Sequence, residues 1–304
     1  MGSREIAAAE QEHELGLEYV GQRRWADAVR CFREALRHRP GYVAAQYDLA
    51  RAFDASGLRD EAIEAYQELI RMVPHFAEAH DALGVLLGGQ GRPQEAIRCH
   101  REAIRLKPDM FMAFYNLGVA LNALGRHEEA LEAYKNTLRR KPDYAPAHGN
   151  LGATLGDLGR WQEALSSHNE AIRLNPSAAT AMRARYNMGV ALAELGRYDE
   201  ALEHFSAVLR DEPGNVDALL RLGWMLAELG KLSEAAETYR RITHLDPGNV
   251  LVYPRLGGAL ASLGRYDEAV EAFERALDLD AECFTREPEW RAFYETSIAK
   301  QGHH

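Results

Sequence analysis

A chain with 12 histidines and 3 cysteines has the raw material for acid–base, nucleophilic or metal chemistry, so their spacing is the first thing to decide. Cys31, Cys99 and Cys283 lie far apart and leave an odd count, which argues against a disulfide framework. They also lack the close pairing of a structural zinc site and read as small buried or half-buried thiols. No His-Glu-x-x-His occurs: His127-Glu128-Glu129 has no second ligand and His148 stands alone. Gly230-Lys231 is followed by Leu232 and has no upstream glycine, so it is no phosphate loop. Gly88-Gly89-Gln90-Gly91 falls where the chain is expected to turn, and no Gly-x-Ser-x-Gly elbow exists. Paired carboxylates fall mostly at expected helix starts, where the helix dipole accounts for them. Neither a catalytic activity nor a cofactor is expected.

The chemistry left is recognition. Asn116, Asn150 and Asn187 carry carboxamides, which both donate and accept and so can bond a peptide backbone whatever its side chains. Arg221 and Arg255, with Arg183 and Arg185, are suited to gripping a carboxylate or phosphate through two parallel hydrogen bonds. Tyr47, Tyr115, Tyr186 and Trp224 offer rigid amphipathic area of the kind enriched at interfaces. Such residues act together only if regular elements bring them to one face.

The prolines reveal those elements. Pro40, Pro74, Pro108, Pro142 and Pro176 are each 34 residues apart; Pro213 follows after 37 and Pro247 after 34 more. Aligned on them, the chain divides into eight windows starting at Ala9, Val43, Ala77, Phe111, Ala145, Met182, Val216 and Val250. Position eight is glycine in seven windows and Ala50 in the second, and position twenty is alanine in all eight, from Ala28 to Ala269. Position fifteen is glycine in seven. Leu117, Leu121 and Leu124 recur at i, i+4 and i+7, and Ala130, Tyr134 and Leu138 at i, i+4 and i+8, so each window predicts two amphipathic helices. Gly125 separates them as a helix end and tight turn, and Pro142 stops the second. Small residues at eight and twenty let the backbones approach, and the aromatic at position twenty-four fills the space beside them. A hairpin of this kind has more apolar surface than it can bury alone and must stack on neighbours.

These columns resemble the tetratricopeptide repeat family, over about 275 residues from Ala9 to Cys283. The resemblance implies an all-α, right-handed superhelical solenoid of antiparallel helix hairpins. The expected organisation is an N-terminal extension (1–8), eight repeats (9–283) with a three-residue insertion at 179–181, and a capping helix with a tail (284–304). Trp290, Phe293, Tyr294 and Ile298, at i, i+3, i+4 and i+8, predict the apolar face of that cap. Departures from the pattern are Arg23 for the first turn glycine, His100 and His168 for the aromatic, and Ala281 for the last proline. On the family's geometry, positions 2, 5, 6, 9, 12 and 13 of each first helix line a concave groove. Position six runs Glu14, Asp48, Ala82, Asn116, Asn150, Asn187, Arg221, Arg255, acidic to amide to basic. Asparagine ladders of this kind grip extended peptides in other members. Helices pack about 8–10 Å apart and an extended peptide advances about 3.3 Å per residue, so successive repeats would meet a peptide about every three residues. The carboxylate clamp of chaperone-binding members is not reproduced: Gly149, Ala153, Asn187, Asp217 and Arg221 stand at its places, and only Asn187 and Arg221 match.

With 36 Lys+Arg against 46 Asp+Glu, the net charge is −10, which excludes phosphate-driven nucleic-acid binding. No stretch approaches the roughly 18 apolar residues of a membrane span, and the N-terminus has no apolar signal core, so a cytoplasmic protein is expected. The expected function is a non-catalytic scaffold. It would bind an extended peptide or helix of a protein partner, with an acidic end towards Arg221, Arg255 and Arg183. Self-assembly into a homo-oligomeric scaffold or coat is one alternative, and a targeting module cut from a larger enzyme is another.

Overall fold

The computed structural model describes residues 3–176 and 179–301, all helical or turn, with no strand among them. The chain forms two compact units that divide between Thr154 and Leu155. The first holds α1 (Ser3–Gly21), α2 (Trp25–His38), α3 (Val43–Ala55), α4 (Arg59–Met72), α5 (Ala77–Gly89), α6 (Pro93–Leu106), α7 (Phe111–Asn122), α8 (His127–Arg140) and most of α9 (Ala145–Asp157). The second holds α10 (Trp161–Leu174), α11 (Ala179–Glu194), α12 (Tyr198–Asp211), α13 (Val216–Glu228), α14 (Leu232–Leu245), α15 (Val252–Ser262), α16 (Tyr266–Leu279), α17 (Cys283–Arg286) and α18 (Pro288–Lys300). Odd- and even-numbered helices pair as hairpins, α1 with α2 through α7 with α8 and α11 with α12 through α15 with α16, and α2 packs on α3, α4 on α5, α6 on α7, α10 on α11, α12 on α13 and α14 on α15.

The columns have physical causes. In six windows a Cβ built on the position-eight glycine would stand 2.5–2.8 Å from the ring at position twenty-four: Gly16 on Phe32, Gly84 on His100, Gly118 on Tyr134, Gly189 on Phe205, Gly223 on Tyr239 and Gly257 on Phe273. The ring lies flat on bare backbone, a close packing that a methyl would wedge open. The position-twenty alanines are at most 1% exposed for the same reason. The turn glycines at position fifteen have φ between 69° and 81°, and Arg23, which replaces one, adopts φ 59°. An arginine is held there in a left-handed conformation that costs roughly 1–2 kcal/mol. Helix stops before each proline have extended φ near −135°, as a following pyrrolidine ring dictates. Asp280 adopts φ −155° although Ala281 follows it, and its carboxylate accepts the Glu282 N–H at 3.1 Å. Second helices open on an Arg-x-x-Glu or Arg-x-x-Asp ion pair at 2.5–2.7 Å in six windows, for example Arg126–Glu129 and Arg265–Glu268.

Three expectations become more specific. α1 begins at Ser3, so the segment assigned as an extension is helical from there on. The insertion lengthens α11 at its start, giving 16 residues where α9 and α13 have 13. α18 caps the second unit with Trp290 and Tyr294 alone, which pack against its core beside Phe273 and Phe284. Phe293 and Ile298 are 39% and 47% exposed, because α18 has helices on one side only and four residues over eight positions span more than that side.

Candidate functional site

The side chains expected to bind ligand fall into two arrangements, one in each unit. At three of the four repeat junctions of the first unit, position six of one repeat bonds position five of the repeat before it, 35 residues away; Ala82 at the remaining one has no polar group to offer. The His13 ring nitrogen lies 2.8 Å from the Asp48 carboxylate, and the other nitrogen of that ring is 3.2 Å from the Tyr42 hydroxyl. Asn116 donates through Nδ2 to both Asp81 oxygens at 3.1 and 3.3 Å. Asn150 donates to the Tyr115 hydroxyl at 3.1 Å. Two of the three asparagines thus use an N–H to hold successive repeats together.

Asp81 has a second task. His100 replaces the usual aromatic at position twenty-four, is 2% exposed, and places Nδ1 2.6 Å from Asp81 Oδ1. The carboxylate therefore satisfies a buried imidazole and a carboxamide at once, which makes its burial tolerable. His168, its counterpart in the fifth repeat, is 1% exposed and has an Nδ1 with no hydrogen-bond partner among the described residues. Burial, aided by the nearby Arg183 charge, pushes its pKa down to about 4, so the ring stays neutral.

The second unit lacks these rungs. Asn187 is half-buried, and its carboxamide makes no hydrogen bond among the described residues. Arg221, half-buried on α13, makes no ion pair among them either. Arg255 donates to the carbonyl of Leu251, the residue just before its helix, at 2.6 Å, and Arg185 reaches Asp211 at 3.5 Å. Arg183 is exposed near the start of α11. Tyr186 meets the Phe205 ring edge-on at 5.4 Å. Trp224 meets Tyr198 at 5.9 Å while its indole N–H donates to Glu228 at 3.1 Å. Both aromatics are half-buried, anchored at one edge and open at the other. Tyr115 is more enclosed, between Tyr134 at 6.0 Å and Tyr144 at 5.2 Å.

Position nine was expected to line the groove, but Trp224 was the residue named there. Leu17, Val85 and Val119 occupy it in the first unit at 42%, 50% and 43% exposure, in the column that holds Trp224 in the second. Large apolar residues on the helix face opposite the core columns were the signal. The partners His13, Asp81 and Tyr115 at position five could have been found by reading columns five and six together, one repeat out of step.

Among the described residues no group of three His, Cys, Asp or Glu side chains converges as a metal site would, and no helix is long and apolar enough to cross a membrane. The three cysteines are free; Cys31 and Cys283 are buried, Cys99 is half-buried, and burial raises all three thiol pKa values.

Family models described as tetratricopeptide repeat match residues 13–80, 82–145 and 186–250, with further matches over 143–211 and 226–294. The chain belongs to the tetratricopeptide repeat family. No curated protein matches it. Among solved structures it is similar to YrrB, a tetratricopeptide repeat protein with an unusual peptide-binding site, at 25% identity and TM-score 0.56 over 62% of this chain and 96% of that one. MamA matches at 25% identity and TM-score 0.52 over 56% of this chain and 92% of that one. PilF of Pseudomonas aeruginosa, at 21% identity and TM-score 0.62 over 74% of this chain and all of its own, shares the fold.

Proposed function

We propose that this member of the tetratricopeptide repeat family is a non-catalytic interaction scaffold whose second unit holds an extended segment of a protein partner. Asn187 bonds the segment's backbone, Tyr186 and Trp224 flank it, and Arg221, Arg255 and Arg183 receive its acidic end. The observation that carries this reading is the contrast at position six. Asn116 and Asn150 are engaged by the preceding repeat, whereas Asn187 and Arg221 are half-buried, polar and unbonded among the described residues. Asn116 would contribute through its carboxamide oxygen, as a weaker continuation of the grip. A handful of hydrogen bonds at about 0.5–1.5 kcal/mol each, set against an association cost of several kcal/mol, places the affinity in the micromolar range.

The test is a fluorescence-anisotropy screen of extended peptides with free or amidated C-termini against the full chain. Binders should prefer the free carboxylate, weaken with added salt, and lose about tenfold or more in the Asn187→Ala, Arg221→Ala double variant. Equal binding by that variant, with an unchanged helical circular dichroism spectrum, would refute the site. Self-association is a second reading, favoured by the exposed Phe293 and Ile298 on α18. Light scattering across concentration separates it, since a monomeric scaffold keeps its mass.

A further inference from the structure

The second helices carry a gap that the peptide site does not use. Twice in this molecule an arginine at window position 25 reaches the glutamate at position 19 of the next repeat. Arg101 bonds Glu129 at 3.0 Å, and Arg240 bonds Glu268. Each of those glutamates also takes an arginine from its own helix start, Arg126 and Arg265. Between the sixth and seventh repeats the same positions hold Ser206 and Glu234. A serine is too short to cross, and Lys231 stands where Arg126 and Arg265 stand without pairing. Glu234 makes no ion pair among the described residues, nor does Glu237 one turn on.

Where the arginine is missing, an open pocket of about 350 Å3 lies between α12, α13 and α14. Leu202, Leu222 and Leu226 form its apolar lining, Ser206 stands at its edge, and Glu234 and Glu237 border it. We propose that this pocket accepts an arginine side chain of a protein partner, with the guanidinium on Glu234 and Glu237 and the methylene stem along the three leucines. The occupant's chemistry follows from the molecule's own use of the equivalent place: Arg240 already lies there one junction away, and Arg101 does so between the third and fourth repeats, each on a position-19 glutamate. Arginine suits the task because its planar fork meets carboxylates while its stem covers apolar surface. An acidic occupant fits less well. Of the two basic residues at the rim, Arg241 already donates to the Pro213 carbonyl at 3.1 Å, which leaves Lys231 to face two carboxylates.

The test titrates the full chain, with leucine methyls labelled, with the dipeptide amide acetyl-Leu-Arg-NH2 and follows Leu202, Leu222 and Leu226 by NMR. Saturating shifts are expected in the millimolar range, weakened about fivefold in Glu234→Gln, as loss of one exposed ion pair implies. They should vanish in Ser206→Arg, which supplies the missing side chain from within and which the third and seventh repeats show to be compatible with the fold. Asn187→Ala should leave them unchanged, which separates this pocket from the peptide site. Equal shifts from the citrulline analogue or from acetyl-Leu-Glu-NH2, or shifts that persist in Ser206→Arg, would overturn the proposal.

Discussion

In the first unit the polar residues of columns five and six bond one another across repeats; in the second the same columns leave Asn187 and Arg221 unbonded. The helices that carry them are alike, so the difference lies in side-chain pairing. Aspartate before asparagine, histidine before aspartate and tyrosine before asparagine are complementary donors and acceptors 35 residues apart. Leu220 before Arg255 offers nothing, and Arg221 does not bond Tyr186 before it. One face of one fold therefore serves cohesion in one region and remains available for recognition in the other.

The sharpest way to break this comparison is to remove the carboxylate that serves two partners. Asp81→Ala should cost the first unit about 3 kcal/mol, because it strands the buried His100 ring and the Asn116 N–H. Arg221→Ala should change the second unit by less than about 0.5 kcal/mol. Native-state hydrogen exchange of α5–α8 and of α11–α14 reads the two separately; equal effects would show that the rungs are incidental.

Acid tests the other histidine on the same axis. His168 is neutral in the fold down to about pH 4, whereas an unfolded histidine protonates near 6.5. The unfolded chain therefore binds the extra proton between those values, and stability contributed above pH 6.5 is lost as pH falls towards 4. The loss should approach roughly 3 kcal/mol at 1.36 kcal/mol per pKa unit. His168→Phe, which restores the ring type found in the sixth and eighth windows, should flatten that slope in urea unfolding between pH 7 and 4. An unchanged slope would mean His168 is not the group that titrates.

The smaller effects concern backbone columns, where the units are expected to behave alike. Gly118→Ala in the first unit and Gly223→Ala in the second each drive a methyl to within 2.6 Å of a tyrosine ring and should cost about 1–3 kcal/mol. Similar losses in both would confine the contrast to side-chain pairing. Smallest of all, Arg23→Gly should stabilise α1 and α2 by about 1 kcal/mol, by relieving the left-handed arginine. A thermal melt that does not move would show that neighbouring contacts compensate for it.

Much of the architecture was open to inspection in the chain because each column answers one steric demand. Gly118 must be bare for Tyr134, Gly125 must turn left-handed, and Lys141 must extend before Pro142. The rungs were harder to see because columns five and six vary, and their logic appears only when they are read together across a one-repeat offset. Asn116 and Asn150 looked like ligand contacts because a carboxamide suits a peptide and a neighbouring tyrosine equally well. On α18, spacing placed four apolar residues near one face, but only the number of neighbouring helices decides how many are covered, so Trp290 and Tyr294 were covered and Phe293 and Ile298 were not.

The ring resting on bare backbone joins residues only sixteen apart, so that contact is closed before the next window begins. A protease that cut beside Pro108 would leave each ring with its glycine, and both fragments could still make well-formed hairpins. A cut beside Gly125 would put Gly118 and Tyr134 on different pieces. Duplication or loss of one entire thirty-four-residue window should accordingly be survivable, while an exchange that begins midway through one should not.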